Sequence, residues 1–349
     1  MVDLPEGAEP FLAAEAPCRG WTSRQLPRLV RRGEVVRLAR GLYAVAEVWA
    51  SLSPEQRHLG LALAAVRRVP GAVLSHRTAA LVHGLPTPYG RLGAVRMTVP
   101  ADDRTSRGES WVQLHRGATG PEHVRHAAGL PVTTVARTVV DCFREDGLAE
   151  GLAVGDAALR AGLVTVAGLR LVRLQQRRWP GVTRAAVGLP LLDGRRESWL
   201  ESYSAGAMAG RDVPVGVPQV VVLDDWGEFV ARVDVGWPAL GLVGEADGRG
   251  KYLSDLGDGL GEDEHAAASR VLASARRESR LRELGLDVVR WDTSEIVRRP
   301  QQVVARWFSA ARAADPTRVR AVLRCSCHRL ALTDCPAGTG STPYGRRTG

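Results

Sequence analysis

Two spacings of hydrophobic residues follow one another near the start of the chain. Apolar residues recur three and four positions apart through residues 23–33 and then alternate with polar ones through residues 35–45. The first spacing places apolar side chains on one face of a helix, and the second places them on one face of a strand. The pattern predicts a short helix that is capped by Thr22 or Ser23 and ends at Gly33, followed by a tight β-hairpin.

The next segments, up to about residue 195, mix helical and strand-like spacing. Thr133 or Thr134 is a candidate cap for a helix whose apolar residues recur at helical spacing. A stretch rich in Gly and Pro at 178–195 predicts a linker. The other predicted elements here are helices at Ala62–Val69 and Ser75–Val82 and strands at Val95–Val99 and Trp111–Leu114.

The C-terminal third carries the clearest strand signals. It predicts a helix from Glu197, strands at Gln219–Leu223, Phe229–Val235 and Leu240–Ala246, a polar helix at Asp263–Leu284, a strand at Asp287–Trp291, and a helix from Thr293 or Ser294 to Ala314. The segment from Pro316 onward is basic and rich in Gly, Pro and Ser, which predicts disorder.

These elements predict an α/β protein of the multidomain α+β type. The predicted organisation is an N-terminal helix and hairpin at 1–60, a mixed α/β middle domain at 61–180, a linker at 181–195, an α/β domain at 196–314 and a disordered basic tail at 315–349.

The net charge of the chain indicates which class of partner to expect. The 349 residues include 47 basic ones, all arginine except Lys251, and the formal net charge is +9. Such an excess favours nucleic acid as a partner before a membrane, although arginine scattered over a solvated surface is the alternative. No apolar stretch approaches the roughly 20 residues of a membrane span. The acidic N-terminus and the odd number of cysteines, five, are untypical of a secreted protein. We expect a cytoplasmic protein with reduced thiols and no membrane partner.

The predicted N-terminal helix and hairpin have the residue types of a DNA reader. Arginine can bind guanine with two hydrogen bonds and glutamine can bind adenine, while arginines on a hairpin can contact phosphates. A solvated basic face is the alternative. The candidate DNA-binding residues are Arg24, Gln25, Arg28, Arg31 and Arg32 on the helix and Arg37 and Arg40 on the hairpin.

This part of the chain resembles the AbiEi-type antitoxins of type IV toxin–antitoxin systems. The resemblance rests on the run G-W-T-S-R-Q-L-x-R-L-V-x-R-G-x-x-x-R-L-x-R-G-L-Y and on the segments VLSHRTAALVHGLP and LPVTTVARTVVDCFR, and it covers roughly residues 18–165. It implies a winged helix-turn-helix that binds double-stranded operator DNA, with a toxin operon as the expected target. A toxin partner does not follow from it, because the winged domain is widely reused.

A second candidate site consists of carboxylates at the ends of predicted strands. Glu245 and Asp247 lie two residues apart on one strand, so both project from one face. If this strand forms a hairpin with the preceding one, with its turn at Trp237-Pro238, Asp234 approaches Glu245. Glu201, or less readily Glu197, can add a carboxylate from the preceding helix. Converging carboxylates predict Mg²⁺ or Mn²⁺ as a cofactor, with Asp234, Glu245 and Asp247 as ligands. The ammonium of Lys251 could steady a scissile phosphate. The alternative is acids solvated separately or paired with Arg232, Arg249 or Arg290.

The same region resembles an uncharacterised bacterial family related to very-short-patch-repair endonucleases, within the PD-(D/E)XK nuclease superfamily. Four blocks carry the resemblance over about 196–312: E-S-W-L-E, P-x-x-Q-V-V-V-x-D-x-x-G-x-x-x-A-R-V-D, G-E-A-D-G-R-x-K-Y and R-x-x-R-L-R-E-L-G-x-x-V-V-R-W. It implies a restriction-endonuclease-like fold with Asp234 and Glu245 as the paired acids, Glu201 as the helical acid, and a catalytic lysine whose place Lys251 would have to fill from four residues beyond Asp247. The superfamily's lysine stands two residues after the second acid, where this chain has Asp247.

Two functions from different classes follow. One is a metal-dependent endonuclease directed to DNA by its winged helix, in phage defence or a toxin–antitoxin context. The other is a non-catalytic repressor or antitoxin whose nuclease-like domain is a platform for binding or for a homodimer. A third, an RNA-directed partner of a nucleotidyltransferase toxin, has no support beyond the family resemblance.

Two further polar clusters receive no function from the sequence. Cys325, Cys327, His328 and Cys335 lack the usual ligand spacing of a zinc site and have no matching second half. The run Ser75-His76-Arg77-Thr78 lies beside an apolar stripe, so we expect His76 to be structural.

Overall fold

The computed structural model describes residues 4–87, 92–248 and 275–326. The chain divides into two compact units, the first comprising residues 1–154 and 161–186 and the second residues 155–160 and 187–349. The protein is mixed α/β, with one three-stranded and two five-stranded sheets among the described residues. This confirms the predicted α+β class.

The first unit begins with a small sheet that carries the predicted hairpin. Its elements are β1 (Phe11–Leu12), a 3₁₀ helix (Ala13–Arg19), α1 (Leu26–Arg31), β2 (Val35–Ala39) and β3 (Leu42–Val45), and the sheet order is β1-β3-β2. Leu26 and Leu29 of α1 are buried with Phe11 and Val35 in one core.

The predicted N-terminal cap of α1 is wrong, whereas the predicted end of the helix is confirmed. The helix begins at Leu26 with Gln25 at the capping position, and neither Thr22 nor Ser23 caps it. Instead, the backbone N–H of Thr22 donates to the side-chain oxygen of Gln25 at 2.7 Å. At the other end, Gly33 has a φ of +72°, a conformation in which glycine is favoured after a helix.

The remainder of the first unit surrounds a five-stranded sheet of order β6-β5-β4-β8-β7. Its strands are β4 (Val73–Leu74), β5 (Val95–Pro100), β6 (Val112–Gly117), β7 (Val124–Ala127) and β8 (Leu130–Thr133). Its helices are α2 (Ala46–Ser51), α3 (Pro54–Arg68), α4 (His76–Val82), α5 (Val135–Asp146), α6 (Leu148–Arg160, of which 155–160 belong to the second unit), α7 (Val166–Gln175) and α8 (Val182–Gly188, of which 187–188 belong to the second unit).

Local capping explains where two of these helices begin. Ser53 and Gln56 form a reciprocal capping box, so α3 begins at Pro54 and crosses the boundary predicted between residues 60 and 61. Thr134 caps α5 by accepting a hydrogen bond from the backbone of Arg137, which confirms one of the two predicted caps.

The second unit contains a five-stranded sheet of order β12-β11-β10-β9-β13. Its strands are β9 (Val217–Leu223), β10 (Phe229–Trp237), β11 (Leu242–Asp247), β12 (Asp287–Asp292) and β13 (Val322–Cys325), and its helices are α9 (Trp199–Ala209), α10 (residues 275–283), α11 (Thr293–Arg298) and α12 (Pro300–Ala313). Neighbouring strands run antiparallel except β11 and β12, which are parallel. The predicted polar helix from Asp263 is described from residue 275 onward, and its earlier part lies outside the described residues.

Three sequence predictions about the C-terminal region are corrected. Residues 182–191, expected to be linker, form α8 and a 3₁₀ turn. The single helix expected from residue 293 to 314 is two helices, because Pro300 starts the second, and Asp292 rather than Thr293 or Ser294 caps the first. The tail expected to be disordered includes β13, which pairs with β9.

No helix among the described residues has the length and apolar character that crossing a membrane requires.

A substitution in the turn between α10 and β12 tests how tightly the second unit is packed there. Gly285 has a φ of +83°, and a Cβ there would overlap the backbone carbonyl of Arg318. Gly285→Ala is therefore expected to lower the free energy of unfolding by about 1–3 kcal/mol, measured by chemical denaturation. Gly248→Ala is the control, since that position has open space and no positive φ. Equal unfolding midpoints for the two variants would contradict the packing at Gly285.

Candidate functional site

The seven predicted DNA-binding side chains all lie on the exposed surface of α1, its flanking turns and the β2–β3 hairpin. Leu26 and Leu29 anchor α1 on its opposite, buried face. Two of the arginines have partners: Arg32 lies 3.6 Å from Glu34, and Arg37 donates to the carbonyl of Ala39 at 3.3 Å. Within the described residues, no acid forms a salt bridge with the remaining arginines, Arg24, Arg28, Arg31 and Arg40.

Gln25 has a structural role in the turn before α1. Its side-chain oxygen accepts hydrogen bonds from the backbone N–H of Thr22 at 2.7 Å and from the Thr22 hydroxyl at 3.2 Å. Reading adenine requires both the oxygen and the nitrogen of the amide. Gln25 therefore orders the turn before α1, and its amide oxygen is already occupied there.

The carboxylates of the second unit lie where the β10–β11 hairpin predicts. The two strands pair antiparallel with Val235 opposite Gly244, which places Asp234 opposite Glu245. The turn occupies Pro238–Leu240 and Gly241, slightly later than the predicted Trp237-Pro238. The backbone N–H of Ala246 donates to Asp234 Oδ2 at 2.8 Å, which fixes that carboxylate against β11.

The helical acids separate into two roles. Glu201 on α9 accepts hydrogen bonds from the backbone of Glu197 at 3.0 Å and from Gln219 Nε2 at 2.8 Å. Glu197 itself binds both terminal nitrogens of Arg232 at the surface. Glu201 and Asp234 line the same cavity, whereas Glu197 does not line it. Glu201 is also the helical acid that was preferred from the sequence.

A small cavity joins Glu201 to Asp234. It is lined on one side by Ser204 of α9 and on the other by Ala246 and the ring of Trp291. Trp291 Nε1 donates to the Ser204 hydroxyl at 2.7 Å, so the cavity wall is held by a buried hydrogen bond. The cavity contains the two predicted acids but not the Glu245 side chain.

Glu245 is bound by two arginines. Arg290, its register partner on β12, forms a short ion pair with it, and Arg277 of α10 lies 3.1 Å from the same carboxylate. Arg290 is one of the alternative partners expected from the sequence, whereas Arg277 gives no local signal, because only the packing of α10 brings it close. Asp247 ends β11 in register with Asp292. Lys251 lies outside the described residues.

Burial and like charge raise the pKa of Asp234 to about 6. Burial is the largest cause, and the nearby carboxylates of Glu201 and Glu245 add to it, while the Ala246 hydrogen bond and Arg277 act in the opposite direction. The carboxylate repulsion expected from the sequence is therefore present at Asp234, but at Glu245 it is relieved by arginine.

The predicted ligands Asp234, Glu245 and Asp247 do not fit a resident Mg²⁺ or Mn²⁺ ion as they are arranged. Their oxygens do not all lie within 4.8 Å of one another; in the described part of the chain, a set that meets this condition is His76, His115 and Glu145. Glu245 also has its charge already compensated by two guanidinium groups.

The chain is similar to two uncharacterized proteins of Mycobacterium tuberculosis, Rv2248 of strain H37Rv and MT2308 of strain CDC 1551. Each is 29% identical over 287 residues, which covers 82% of this chain and 95% of the relative. A crystal structure of the RV2827C protein from the same organism aligns with 53% of this chain and 72% of its own, at 19% identity and a TM-score of 0.37. No family model matches the chain.

The raised pKa of Asp234 predicts a pH dependence of stability. A carboxyl whose pKa is about 6 in the folded state and near 3.8 when unfolded holds its proton more tightly in the fold. Its contribution to stability is therefore greatest below pH 4 and is lost as the pH rises through 6, by at most about 3 kcal/mol. Asp234→Asn keeps an acceptor for Ala246 and should flatten this loss.

The measurement is the free energy of unfolding of the wild type and of Asp234→Asn at several pH values from 4 to 8. The difference between the two should change in favour of the variant as the pH rises. Asp212→Asn, at an exposed position of the same unit that has no salt bridge among the described residues, is the matched control. A difference independent of pH would mean that Asp234 titrates as an ordinary carboxyl.

Proposed function

We propose that this protein binds duplex DNA through α1 and the β2–β3 hairpin. The observation that carries the proposal is the set of six exposed arginines on one helix, its flanking turns and the adjacent hairpin, of which only Arg32 has an acidic partner among the described residues. Unpaired guanidinium groups on a surface are available to phosphates and to guanine edges.

In this proposal, α1 and the β2–β3 hairpin contact different parts of the DNA. The buried Leu26 and Leu29 hold one face of α1 on its core, so Arg28 is exposed on the helix and Arg24 is exposed in the turn before it. A short exposed helix fits the major groove, and a hairpin beside it can contact the backbone. The resemblance to AbiEi-type antitoxins supports an operator of a toxin operon as the target.

The test is the salt dependence of binding to duplex DNA by the full-length protein. The logarithm of the affinity should fall linearly with the logarithm of salt, by about 0.9 per phosphate contacted. Arg37→Ala and Arg40→Ala should weaken binding to all sequences alike. Arg24→Ala and Arg28→Ala should also reduce discrimination at the base read, by about 1–3 kcal/mol.

Arg170→Ala is the matched control, because Arg170 is an exposed arginine of the same unit on α7. It should leave both the affinity and the salt slope unchanged. Binding that is insensitive to salt, or an Arg170→Ala effect as large as those on α1 and the hairpin, would refute the proposal.

A second candidate function is metal-dependent cleavage of DNA by the second unit. Asp234, with its pKa near 6, lies opposite Glu245 and shares a cavity with Glu201, and the resemblance to PD-(D/E)XK nucleases adds support. Glu245 would have to leave Arg277 and Arg290 before it could bind a cation. That contact favours the alternative, a non-catalytic regulator.

A cleavage assay separates the two. Supercoiled plasmid and single-stranded DNA are incubated with the full-length protein and Mg²⁺ or Mn²⁺. An endonuclease should cut in a manner that Asp234→Ala abolishes and Asp225→Ala, at an exposed position, preserves. If neither DNA is cut, or if Asp234→Ala cuts as fast as the wild type, the regulator is the function to retain.

A further inference from the structure

Three side chains of the first unit converge far from the DNA-reading residues in the sequence. His76 lies on α4, His115 on β6 and Glu145 on α5. One ligand atom from each lies within 4.8 Å of the others. The two imidazole rings are stacked, with centroids 4.0 Å apart and an interplanar angle of 29°.

Both histidines present a buried ring nitrogen that has no partner. His76 is 1% exposed, and the Nε2 atoms of His76 and His115 are buried without a hydrogen-bond partner in the described residues. Buried polar atoms in proteins are almost always satisfied, so an orphaned atom calls for a ligand, a water or an ion. Two such nitrogens beside a carboxylate favour a shared ligand.

The second ring nitrogen of His76 supports the same conclusion. Its Nδ1 lies 2.9 Å from the hydroxyl of Ser75. A histidine that binds a metal through one nitrogen usually donates its other N–H to a neighbouring acceptor, which fixes the tautomer. With the proton on Nδ1, Nε2 offers a lone pair to the cluster.

The backbone at His76 is held in an unusual conformation. Its φ is +53°, in the left-handed region that residues other than glycine seldom adopt. Such strain costs on the order of 1–3 kcal/mol and concentrates where a side chain must be aimed. Here the strained residue is the one whose ring meets His115.

The surroundings of the cluster disfavour protonation of both histidines. Burial is the main cause that lowers the pKa of each, and Arg96 and Arg144 lower both further, with His115 and Arg137 also acting on His76. For His115 the carboxylates of Glu145 and Asp141 oppose this. Neutral imidazole is the form that binds metals.

Four surrounding arginines share two aspartates, so their positive charge is offset only in part. Arg77 and Arg96 pair with Asp146. Arg137 and Arg144 pair with Asp141 at 2.6 and 2.7 Å. Glu145, 30% exposed and 3.8 Å from Arg144, adds a third carboxylate to this group and is the one that reaches the two imidazoles.

We infer that His76, His115 and Glu145 bind a divalent transition-metal ion, Zn²⁺ in the first instance. Two imidazoles and one carboxylate are donors that suit Zn²⁺, and three protein ligands leave a position for water. The ion would join α4, β6 and α5. The inference is independent of the DNA-binding proposal, and its donor set differs from the oxygen ligands expected around Asp234.

The experiment titrates the full-length protein, stripped with a chelator, with Zn²⁺ alone, and follows binding by calorimetry and by metal analysis after dialysis. One site per chain is expected. His115→Gln and Glu145→Gln should remove it. His126→Gln, at an exposed histidine of the same unit, and Asp234→Ala should retain it.

Two further variants decide where any bound ion resides. Cys327→Ser/Cys335→Ser removes thiol ligands of the C-terminal tail and should leave the site intact. Ser75→Ala removes the acceptor for His76 and should weaken binding about 10–100-fold. Because alanine is smaller than serine, folding should survive, and near-ultraviolet circular dichroism checks this.

Co²⁺ serves as a spectroscopic probe of the same site. Visible d–d bands without a thiolate charge-transfer band are expected, and Glu145→Gln should change them. The inference is overturned if the wild type binds no Zn²⁺, if binding survives both His115→Gln and Glu145→Gln, or if only the cysteine variant loses it. In the first case an ordered water satisfies the two imidazoles.

Discussion

Buried carboxylates constrain this protein more than any other feature, because each must be neutralised where it lies. Asp141 is held between Arg137 and Arg144, Asp156 by Arg196, and Glu245 by two arginines of its own unit. Removing one partner of such a pair typically costs about 3–5 kcal/mol, since an uncompensated charge stays buried. Guanidinium suits this role because its planar fork can bind two acceptors at once. Arginine is thus a structural residue in both units.

The role of an arginine in this protein can therefore be inferred only when its ion-pair partners are known. Arg137, which is 1% exposed and lies over the ring of Trp179, stabilises the interior of the first unit. Arg28 on α1 and Arg24 in the turn before it are exposed and have no acidic partner among the described residues. A surplus of positive charge in the composition does not distinguish these cases, and the contacts do. The same kind of contact shows that Glu245, which was expected to be a metal ligand, is ion-paired with arginine.

Local patterns predicted much of the fold, and contacts distant in the chain account for the rest. Alternating apolar residues were sufficient to place β10 and β11, and their hairpin brought Asp234 opposite Glu245 as expected. β13 was missed because its composition resembles a disordered tail, and it becomes a strand only by pairing with β9. His76 was expected to be structural, since nothing local shows that its ring meets His115 of a distant strand.

The pairing of β13 with β9 affects how the second unit folds during its synthesis. β9, the first strand of its sheet in the sequence, pairs along one edge with β13, and Val322 lies opposite Leu223. This pairing joins two segments that are far apart in the sequence. Pairings of this kind form slowly, because the entropy of loop closure precedes the contacts that repay it. During translation, β9 leaves the ribosome with one edge uncovered and keeps it so until residues 322–325 emerge. For that interval the nascent chain exposes a strand rich in valine, the kind of edge that invites association with other chains.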